Sequence, residues 1–259
     1  MSRTKFEGKV TTNHYGTMYE SIDEFTRSAI DLLKRKVESD PDRDHKALDA
    51  GCAFGYLTKR LLLEIGSNLH VIANDIGGDM LDKLRDELME LKMSQRVQVC
   101  DGPYLRLQID AESLDAIFAL RVVHFLTGDG IRESFERFYK WLRPSGILVI
   151  SSATPMSYVF GNRGAQFIEM FKENEKIMRE WPGECHNLHE FIECEQIARE
   201  LPNEMTYSLL EQFLRESTRV GFHVYKCGYI DRDSFLNEAN KSTNRDSFCL
   251  VLVKDIFAA

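Results

Sequence analysis

The sequence predicts an α/β fold in which helices cover both faces of a doubly wound, mostly parallel sheet. Between residues 46 and 153, short apolar runs alternate with longer amphipathic segments, which is the pattern of successive βαβ units around a buried sheet. Five apolar runs of strand length fall in this interval, and most of the gaps between them carry a helical pattern.

The predicted core can be assigned element by element. The strands are Lys46–Ala50, His70–Ala73, Arg96–Cys100, Leu114–Leu120 and Gly146–Ser151, and the helices are Tyr56–Ile65, a stretch that Asp79 can cap, and Ile131–Leu142. Each helix carries apolar residues three or four positions apart, which predicts one buried face. Pro144 ends the third helix, because proline disfavours helical backbone in the residue before it.

The alternating pattern stops at Thr154 and resumes at Thr206. Apolar residues in between recur at helical spacing, namely Phe167, Met170, Phe171, Met178 and Trp181. A second helical pattern runs from Leu188 to Leu201. Residues 154–205 are therefore predicted to be a helical cap inserted after strand five, with its own apolar core.

The remaining segments flank this core. Thr206 can cap a helix that ends at Val220, and the strands Phe222–Ile230 and Phe248–Val253 follow it. An amphipathic helix, Tyr19–Val37, is predicted in the N-terminal part of the chain. The predicted organisation is an N-terminal helical segment of residues 1–45, a core of residues 46–153 and 206–259, and the cap of residues 154–205.

Charge and composition narrow the class of protein. The 259 residues include 33 Lys+Arg and 41 Asp+Glu without a basic block, which argues against a nucleic-acid partner held through counterion release. Residues 154–205 contain five Lys or Arg and ten Glu, which disfavours a phosphate-rich substrate. Six scattered cysteines, a start without an apolar leader and the lack of a long apolar stretch predict a cytoplasmic protein with no membrane partner.

Polar residues at three strand ends are the candidate functional residues. The first strand runs into LDAGCAFG, a turn whose glycines let a ligand approach the backbone and whose following helix start favours a negative group. Asp75 ends the second strand, where a carboxylate can accept two hydrogen bonds from ribose hydroxyls, and Asp101 ends the third. Because parallel strands end at one edge of the sheet, these residues are predicted to form one site.

These motifs resemble those of the class I S-adenosylmethionine-dependent methyltransferases. LDAGCAFGYLT resembles the first motif, VIANDIGGDML the acidic second-strand motif, and VQVCDG the end of the third strand. LDAIFALRVVHFL and LRPSGILVISS resemble the fourth and fifth strands, and TYSLLEQFLRESTRVGFHVYKCGYI resembles the last helix and the strand after it. The resemblance covers residues 46–153 and 206–254. It implies a Rossmann-like, seven-stranded sheet with an antiparallel last strand, and S-adenosylmethionine as cofactor.

The resemblance also implies the cofactor contacts. They are Asp49, Gly51, Cys52 and Gly55 around the methionine part, Asp75 at the ribose, Ile76, Asp101 and Gly102 at the adenine, and Leu120 and Arg121 at the amino acid moiety or the reaction site. Two positions depart from the family pattern. Ala53 stands where the family usually has its middle glycine, and Arg121 stands where Asn, Asp or Ser is common.

Methyl transfer from a sulfonium is an in-line displacement whose thioether leaving group needs no proton, so positioning and exclusion of water can supply much of the catalysis. His124, just beyond strand four, is the candidate general base for an acceptor that loses a proton, with a packed loop histidine as the alternative. Candidate walls of the acceptor pocket are Tyr15, Tyr19, Tyr158, Phe160 and Trp181, with surface or core packing as the alternative. No metal is expected, because Cys185, His186, His189 and Cys194 lack the paired spacing of zinc sites.

The sequence is thus interpreted as a cytoplasmic methyltransferase that acts on a small-molecule acceptor beneath a helical cap. Protein or RNA methylation is the alternative reaction, although the run Leu120-Arg121-Val122-Val123 lacks the Asn/Asp-Pro-Pro-Tyr/Phe motif of enzymes that methylate base amino groups. A protein that binds the cofactor without catalysis is the alternative from another class. A dinucleotide cofactor is disfavoured, because Ala53 and Leu57 interrupt the G-x-G-x-x-G pattern.

Overall fold

The computed structural model describes residues 22–230 and 245–255 and the short strands Lys9–Val10 and Thr17–Met18. Its main sheet contains β1 (His45–Ala50), β2 (Leu69–Asp75), β3 (Val97–Asp101), β4 (Leu114–Leu120), β5 (Leu142–Ala153), β6 (Phe222–Tyr229) and β7 (Ser247–Lys254). The order across the sheet is β6-β7-β5-β4-β1-β2-β3. β1 to β5 pair in parallel, and β7 is antiparallel to both β5 and β6. The predicted doubly wound, mostly parallel seven-stranded sheet with an antiparallel last strand is confirmed.

Helices cover both faces of this sheet. They are α1 (Glu24–Ser39), α2 (Tyr56–Glu64), α3 (Gly78–Glu90), α4 (Gly128–Trp141), α5 (Gly164–Lys176), α6 (Glu195–Glu200) and α7 (Leu210–Val220). One buried apolar cluster joins the sheet to α1, α2 and α3, and a second joins its other face to α4 and α7. Both faces of β4 are buried, which explains its nearly continuous apolar sequence. Within the described ranges, no helix has the length and apolar character that crossing a membrane requires.

Helix starts differ from prediction where a side chain or backbone group caps the helix elsewhere. α1 begins at Glu24 rather than Tyr19, because Asp23 Oδ1 accepts hydrogen bonds from Phe25 N and Thr26 N, each at 2.9 Å. Gly77, not Asp79, is the N-cap of α3, and Asp79 lies in the first turn. There its carboxylate interacts favourably with the helix dipole.

Two further helix starts were predicted wrongly. α4 begins at Gly128 instead of Ile131, since Thr127 Oγ1 accepts a hydrogen bond from Gly130 N at 3.2 Å. Thr206 does not cap α7, because it pairs with Glu184 in a short antiparallel ladder. That helix starts at Leu210, where the Gln212 side chain accepts the backbone N–H of Leu209 at 2.7 Å.

Residues 154–205 contain α5, α6 and their own buried cluster. In that cluster Phe160, Phe167 and Tyr207 pack ring against ring, with centroids 4.2 to 5.2 Å apart. The predicted helix Leu188–Leu201 is wrong, because a 3₁₀ turn at Leu188–Phe191 and the short α6 take its place. Met178, predicted to belong to the apolar stripe, is 89% exposed and has a positive φ of 58° just after α5.

A buried carboxylate ties three elements together at the amino edge of the sheet. Asp115, at the start of β4, has no exposed surface and accepts hydrogen bonds from Lys46 N at 3.0 Å and from both terminal nitrogens of Arg43 at 3.2 and 2.8 Å. Lys36 Nζ of α1 lies 3.8 Å from Asp115 Oδ1. Burial would raise the pKa of Asp115, but the Arg43 and Lys46 hydrogen bonds and the charges of Arg43 and Lys36 hold it below its ordinary value.

Replacing Asp115 by asparagine is expected to lower the free energy of unfolding by about 3 kcal/mol at neutral pH, because Arg43 and Lys36 lose a buried anionic partner. A lowered pKa in the folded state means that the carboxylate stabilises above its unfolded pKa of about 4 and that this contribution is lost as pH falls through the folded value. Denaturant titrations near pH 7 and pH 3 should therefore show a smaller difference between D115N and wild type in acid.

Asp110→Asn is the matched control, since Asp110 is exposed, and its effect should stay within about 0.5 kcal/mol. An equal loss of stability for Asp115→Asn at both pH values would contradict the assigned charge effect.

Candidate functional site

The turn after β1 is held tightly against two neighbouring segments. Gly51 has a φ of +74°, and its N–H and that of Cys52 donate to Asn74 O at 2.8 and 2.9 Å. A Cβ at Gly51 would lie 2.7 Å from Val122 Cγ2, so only glycine permits this approach. The turn thus leaves its backbone at the carboxyl edge of the sheet, directly before the N-terminus of α2.

Gly55 and Ala53 complete the turn with left-handed backbone. Gly55 is the N-cap of α2 with a φ of +68°, and a Cβ there would overlap Leu84 of α3. Ala53 has a φ of +44°, a conformation that costs a residue with a Cβ about 1 kcal/mol. Its N–H donates to Asp75 Oδ2 at 2.8 Å, which offsets part of that strain.

The carboxylate of Asp75 organises the ends of β1 and β2. Besides the Ala53 contact, its Oδ1 accepts from Gly77 N at 3.0 Å. Burial raises the pKa of Asp75, and the backbone hydrogen bonds oppose that rise. Each carboxylate oxygen can accept a second hydrogen bond, so the group retains acceptor capacity for a hydroxyl.

Asp101 lies beside Asp75 in the parallel register of β2 and β3, and its side chain is exposed. Gly102, with a φ of +105°, donates its N–H to Asp75 O at 2.9 Å. Ile76, the residue after Asp75, is 46% exposed. The apolar side chain of Ile76 and the exposed carboxylate of Asp101 therefore border the edge of the sheet next to Asp75.

Asp49, which lies in β1 two residues before Gly51, is a second buried carboxylate. Its Oδ2 accepts the Thr58 hydroxyl at 2.6 Å. Burial raises the pKa of Asp49 to about 7, with the charge of Asp75 adding to the rise. A cation brought to this position would favour the ionised carboxylate. Cys52, also buried, has a thiol whose pKa is raised by burial, so it stays protonated.

The segment after β4 faces the same edge. Leu120 is half-buried, and Arg121 has a φ of +57° with its N–H donating to Ser151 O at 3.1 Å and Ser151 Oγ at 3.0 Å. His124 lies in a 3₁₀ turn, Val123–Phe125, and is 3% exposed. Burial, followed by the charge of Arg121, lowers the pKa of His124 to about 3. The imidazole is therefore neutral at physiological pH.

The aromatic residues predicted as pocket walls occupy different environments. Phe160 is fully buried and stacks on Phe167, and Trp181 packs on the start of α4 so closely that a Cβ at Gly128 would overlap its ring. Tyr158 is partly buried and lies near Tyr207. Tyr15 and Tyr19 lie outside the described residues. Phe160 thus packs inside the residue 154–205 segment, and Trp181 packs the segment against α4.

No group of three or more His, Cys, Asp or Glu side chains within the described ranges is arranged to hold a metal ion. Of the four ligand-type residues in the segment, His186 instead lies 3.7 Å from Glu184 and Glu204. Cys185 is buried and His189 Nε2 is hydrogen-bonded to Leu201 O at 2.9 Å.

Sequence reasoning missed several residues that build the site. Asn74 Nδ2 donates to Cys100 O at 3.1 Å and Gly102 O at 2.8 Å, which holds the ends of β2 and β3 together. Thr58 and Ser151 position Asp49 and Arg121 as described above. An asparagine inside an apolar strand, directly before a strand-end aspartate, is the signal that could have revealed Asn74. Tyr207 is distant from Arg121 in the sequence, and the tertiary fold brings the two residues near each other.

This sheet order, with a glycine turn after β1 and carboxylates at the ends of β2 and β3, defines a Rossmann-like α/β protein. Residues 47–146 match the family model of a methyltransferase domain. The core of this chain, from β1 to the first residues of β5, is therefore similar to a methyltransferase domain.

Among curated proteins, N-terminal Xaa-Pro-Lys N-methyltransferase 1 of Danio rerio is 34% identical over 104 residues, which are 40% of this chain and 45% of that protein. Malonyl-[acyl-carrier protein] O-methyltransferase of Halalkalibacterium halodurans is 25% identical over 145 residues, 54% of this chain and 52% of that protein. The chain thus spans about half the length of the curated relatives it matches.

Among solved structures, an S-adenosylmethionine-dependent methyltransferase from Mesorhizobium loti superposes with a TM-score of 0.58 at 14% identity, covering 88% of this chain and 96% of that one. At that identity the likeness shows the fold.

Replacing Ala53 by glycine is expected to raise the free energy of unfolding by about 1 kcal/mol, because glycine adopts the positive φ without a Cβ clash. Denaturant unfolding of the wild type and the variant measures this change in the free energy of unfolding. Ala50→Gly, at a buried β1 position without a positive φ, is the control and should lower stability. A destabilised Ala53→Gly variant would show that the turn is not strained at this position.

His124 is expected to stay neutral across the physiological range, so its ring Cε1–H resonance should not titrate between about pH 5 and pH 8. In the unfolded chain the ring titrates near its usual pKa of about 6.5. The native state therefore loses stability relative to the unfolded state as pH falls from about 6.5 toward the folded pKa of about 3.

His124→Phe identifies the resonance, and its free energy of unfolding should fall less steeply in acid than that of wild type. A midpoint between pH 6 and 7 for His124 in the folded protein would refute its burial as a neutral group.

Proposed function

We propose that this protein is an S-adenosylmethionine-dependent methyltransferase that methylates a small-molecule acceptor. The observation that carries the proposal is the convergence of the Gly51 turn, Asp75 and Asp101 at the ends of three adjacent parallel strands. This combination offers exposed backbone, an acceptor for hydroxyl groups and an adjacent apolar side chain, the set of contacts that a nucleoside-containing cofactor needs.

The residues fit such a cofactor chemically. Gly51 lacks the Cβ that would fill the space beside Val122, and Asp49 holds a buried carboxylate whose ionisation a nearby ammonium would favour. We assign the methionine part to Asp49, Gly51, Cys52 and Gly55. The ribose is assigned to Asp75, and the adenine to Ile76, Asp101 and Gly102. Leu120 lies at the junction with the reaction site.

When bound, the cofactor would supply an electrophilic methyl group. The remaining work for this chain is positioning an acceptor and excluding water, since in-line displacement of a thioether needs no acid. Neutral His124 can orient an acceptor by hydrogen bonding. Its lowered pKa makes it a weak base, so an acceptor that reacts without losing a proton in the rate-limiting step fits this site best.

A small acceptor is supported by the placement of residues 154–205, which we propose to be a cap. The segment leaves the end of β5 and contacts the chain after β4, where Glu184 accepts a hydrogen bond from Gly128 N at 3.0 Å. Thr206, directly after the segment, donates from Oγ1 to Leu126 O at 2.6 Å. Such a cover encloses the edge of the sheet beside Arg121 and His124, and enclosed sites suit small ligands.

Methylation of a protein N-terminus is the second candidate, favoured by the 34% identity to the Danio rerio protein of that name. We further propose a cytoplasmic location, supported by the six free cysteines, three of them buried with raised thiol pKa values.

Isothermal titration calorimetry with S-adenosylmethionine and S-adenosylhomocysteine tests cofactor binding. Wild type is expected to bind both, and Asp101→Asn should bind about 10-fold more weakly, because a charged acceptor is lost without a buried contact being broken. Asp86→Asn on the exposed side of α3 is the matched control and should bind like wild type. No binding by wild type would overturn the proposal.

A labelled-methyl assay then separates the acceptor classes. Transfer to a pool of small molecules supports the first candidate, and transfer only to a peptide that begins with Xaa-Pro-Lys supports the second. Cofactor binding without transfer to either would indicate a binding protein.

A further inference from the structure

One nitrogen of the Arg121 guanidinium is buried without a hydrogen-bond partner, although the residue as a whole is only partly buried. That atom is Nη1, and none of the ion pairs among the described residues involves Arg121. The backbone is nevertheless fixed, with a φ of +57° and two hydrogen bonds from its N–H to Ser151. A buried polar atom without a hydrogen-bond partner is unfavourable, so the fold maintains this arrangement at an energetic cost.

Two other polar groups with unused hydrogen-bonding capacity lie near Arg121. His124 Nδ1 is buried without a partner, and Tyr207, almost fully buried, donates its hydroxyl only to the weak acceptor Met205 Sδ at 3.7 Å. The charge of Arg121 acts to lower the pKa of both His124 and Tyr207, although burial keeps that of Tyr207 far above its ordinary value. One cation and two neutral groups able to donate hydrogen bonds thus lie together.

The cluster of Arg121, His124 and Tyr207 adjoins the end of β5. The Arg121 N–H donates to Ser151, and the N–H of Ser208, which follows Tyr207, donates to Ala153 O at 3.2 Å. Val122, the residue after Arg121, packs on Gly51, where the proposed methionine part of the cofactor lies. Arg121 therefore lies between that part of the site and the start of the residue 154–205 segment.

We propose that Arg121, assisted by His124 and Tyr207, binds a carboxylate of the methyl acceptor. A planar carboxylate matches the paired N–H groups of a guanidinium, and its oxygen would supply the hydrogen-bond partner that Arg121 Nη1 lacks. This inference rests on the proposed function and names its substrate class as an acid. It also disfavours a cationic amine at this position, despite the acidic composition of residues 154–205.

The first test needs no ligand. Arg121→Met removes the guanidinium with its unpartnered buried nitrogen and keeps an unbranched apolar side chain, so the melting temperature of the free protein should rise by about 3 °C. Arg106→Met, at an exposed arginine of the same core, is the control and should leave it unchanged. A lower melting temperature for Arg121→Met would make Arg121 a structural residue and overturn the proposal.

The second test uses three probes of one shape and different charge: benzoate, benzamide and benzylamine. Benzoate is expected to raise the melting temperature of wild type and of Arg106→Met but not of Arg121→Met, and the two other probes should not protect at the same concentration. Protection by benzamide equal to that by benzoate, or no protection by benzoate, would overturn the proposal. Each probe is measured with and without S-adenosylhomocysteine, so failure of cofactor binding is seen separately.

A carboxylate is also present in the cofactor itself, and calorimetry with S-adenosylmethionine distinguishes the two sources. The affinity of Arg121→Met should lie within 2-fold of wild type if the acceptor carries the carboxylate. A loss of 10-fold or more would assign Arg121 to the cofactor and refute an acceptor site.

Discussion

The close approach of three chain segments at Gly51 is the constraint on which the site depends. β1 pairs in parallel with β2 and β4, so all three strands leave the sheet at the same edge. Two N–H groups of the turn after β1 donate to the carbonyl of Asn74 near the end of β2, and the turn packs on Val122 after β4. A side chain at Gly51 would push these segments apart. Asp49, Asp75 and Arg121, which lie on those segments, would then move apart as well.

The charged residues at the two ends of β4 differ in whether they have a partner of opposite charge. At its start, Asp115 is surrounded by hydrogen bonds and by cations of α1 and the chain before β1, and it holds the amino edge of the sheet together. After its end, Arg121 has a buried Nη1 without a partner, lies near two neutral groups and forms no ion pair with the described residues. A paired charge stabilises the fold, whereas an unpaired one leaves binding energy available to a ligand.

The residue 154–205 segment connects this edge to the rest of the molecule through packing as well as hydrogen bonds. Trp181 fills the space that Gly128 leaves at the start of α4, and Phe160, Phe167 and Tyr207 form a separate aromatic cluster. These aromatic rings therefore hold the segment in place. The Tyr207 ring belongs to that packing, while its hydroxyl donates to the weak acceptor Met205 Sδ.

The sequence by itself determined the sheet, the order of its first five strands and the residues at the ends of β1, β2 and β3, because apolar periodicity and strand-end motifs are local properties of the chain. Helix starts were less predictable at Asp23, Gly77 and Thr127, since several nearby residues could serve as caps and the backbone selects one. Only the tertiary structure decided that Trp181 and Phe160 are packing residues and that Tyr207 lies near Arg121. Those contacts join residues that are distant in the chain, and their free energy depends on burial and charge that no local pattern contains.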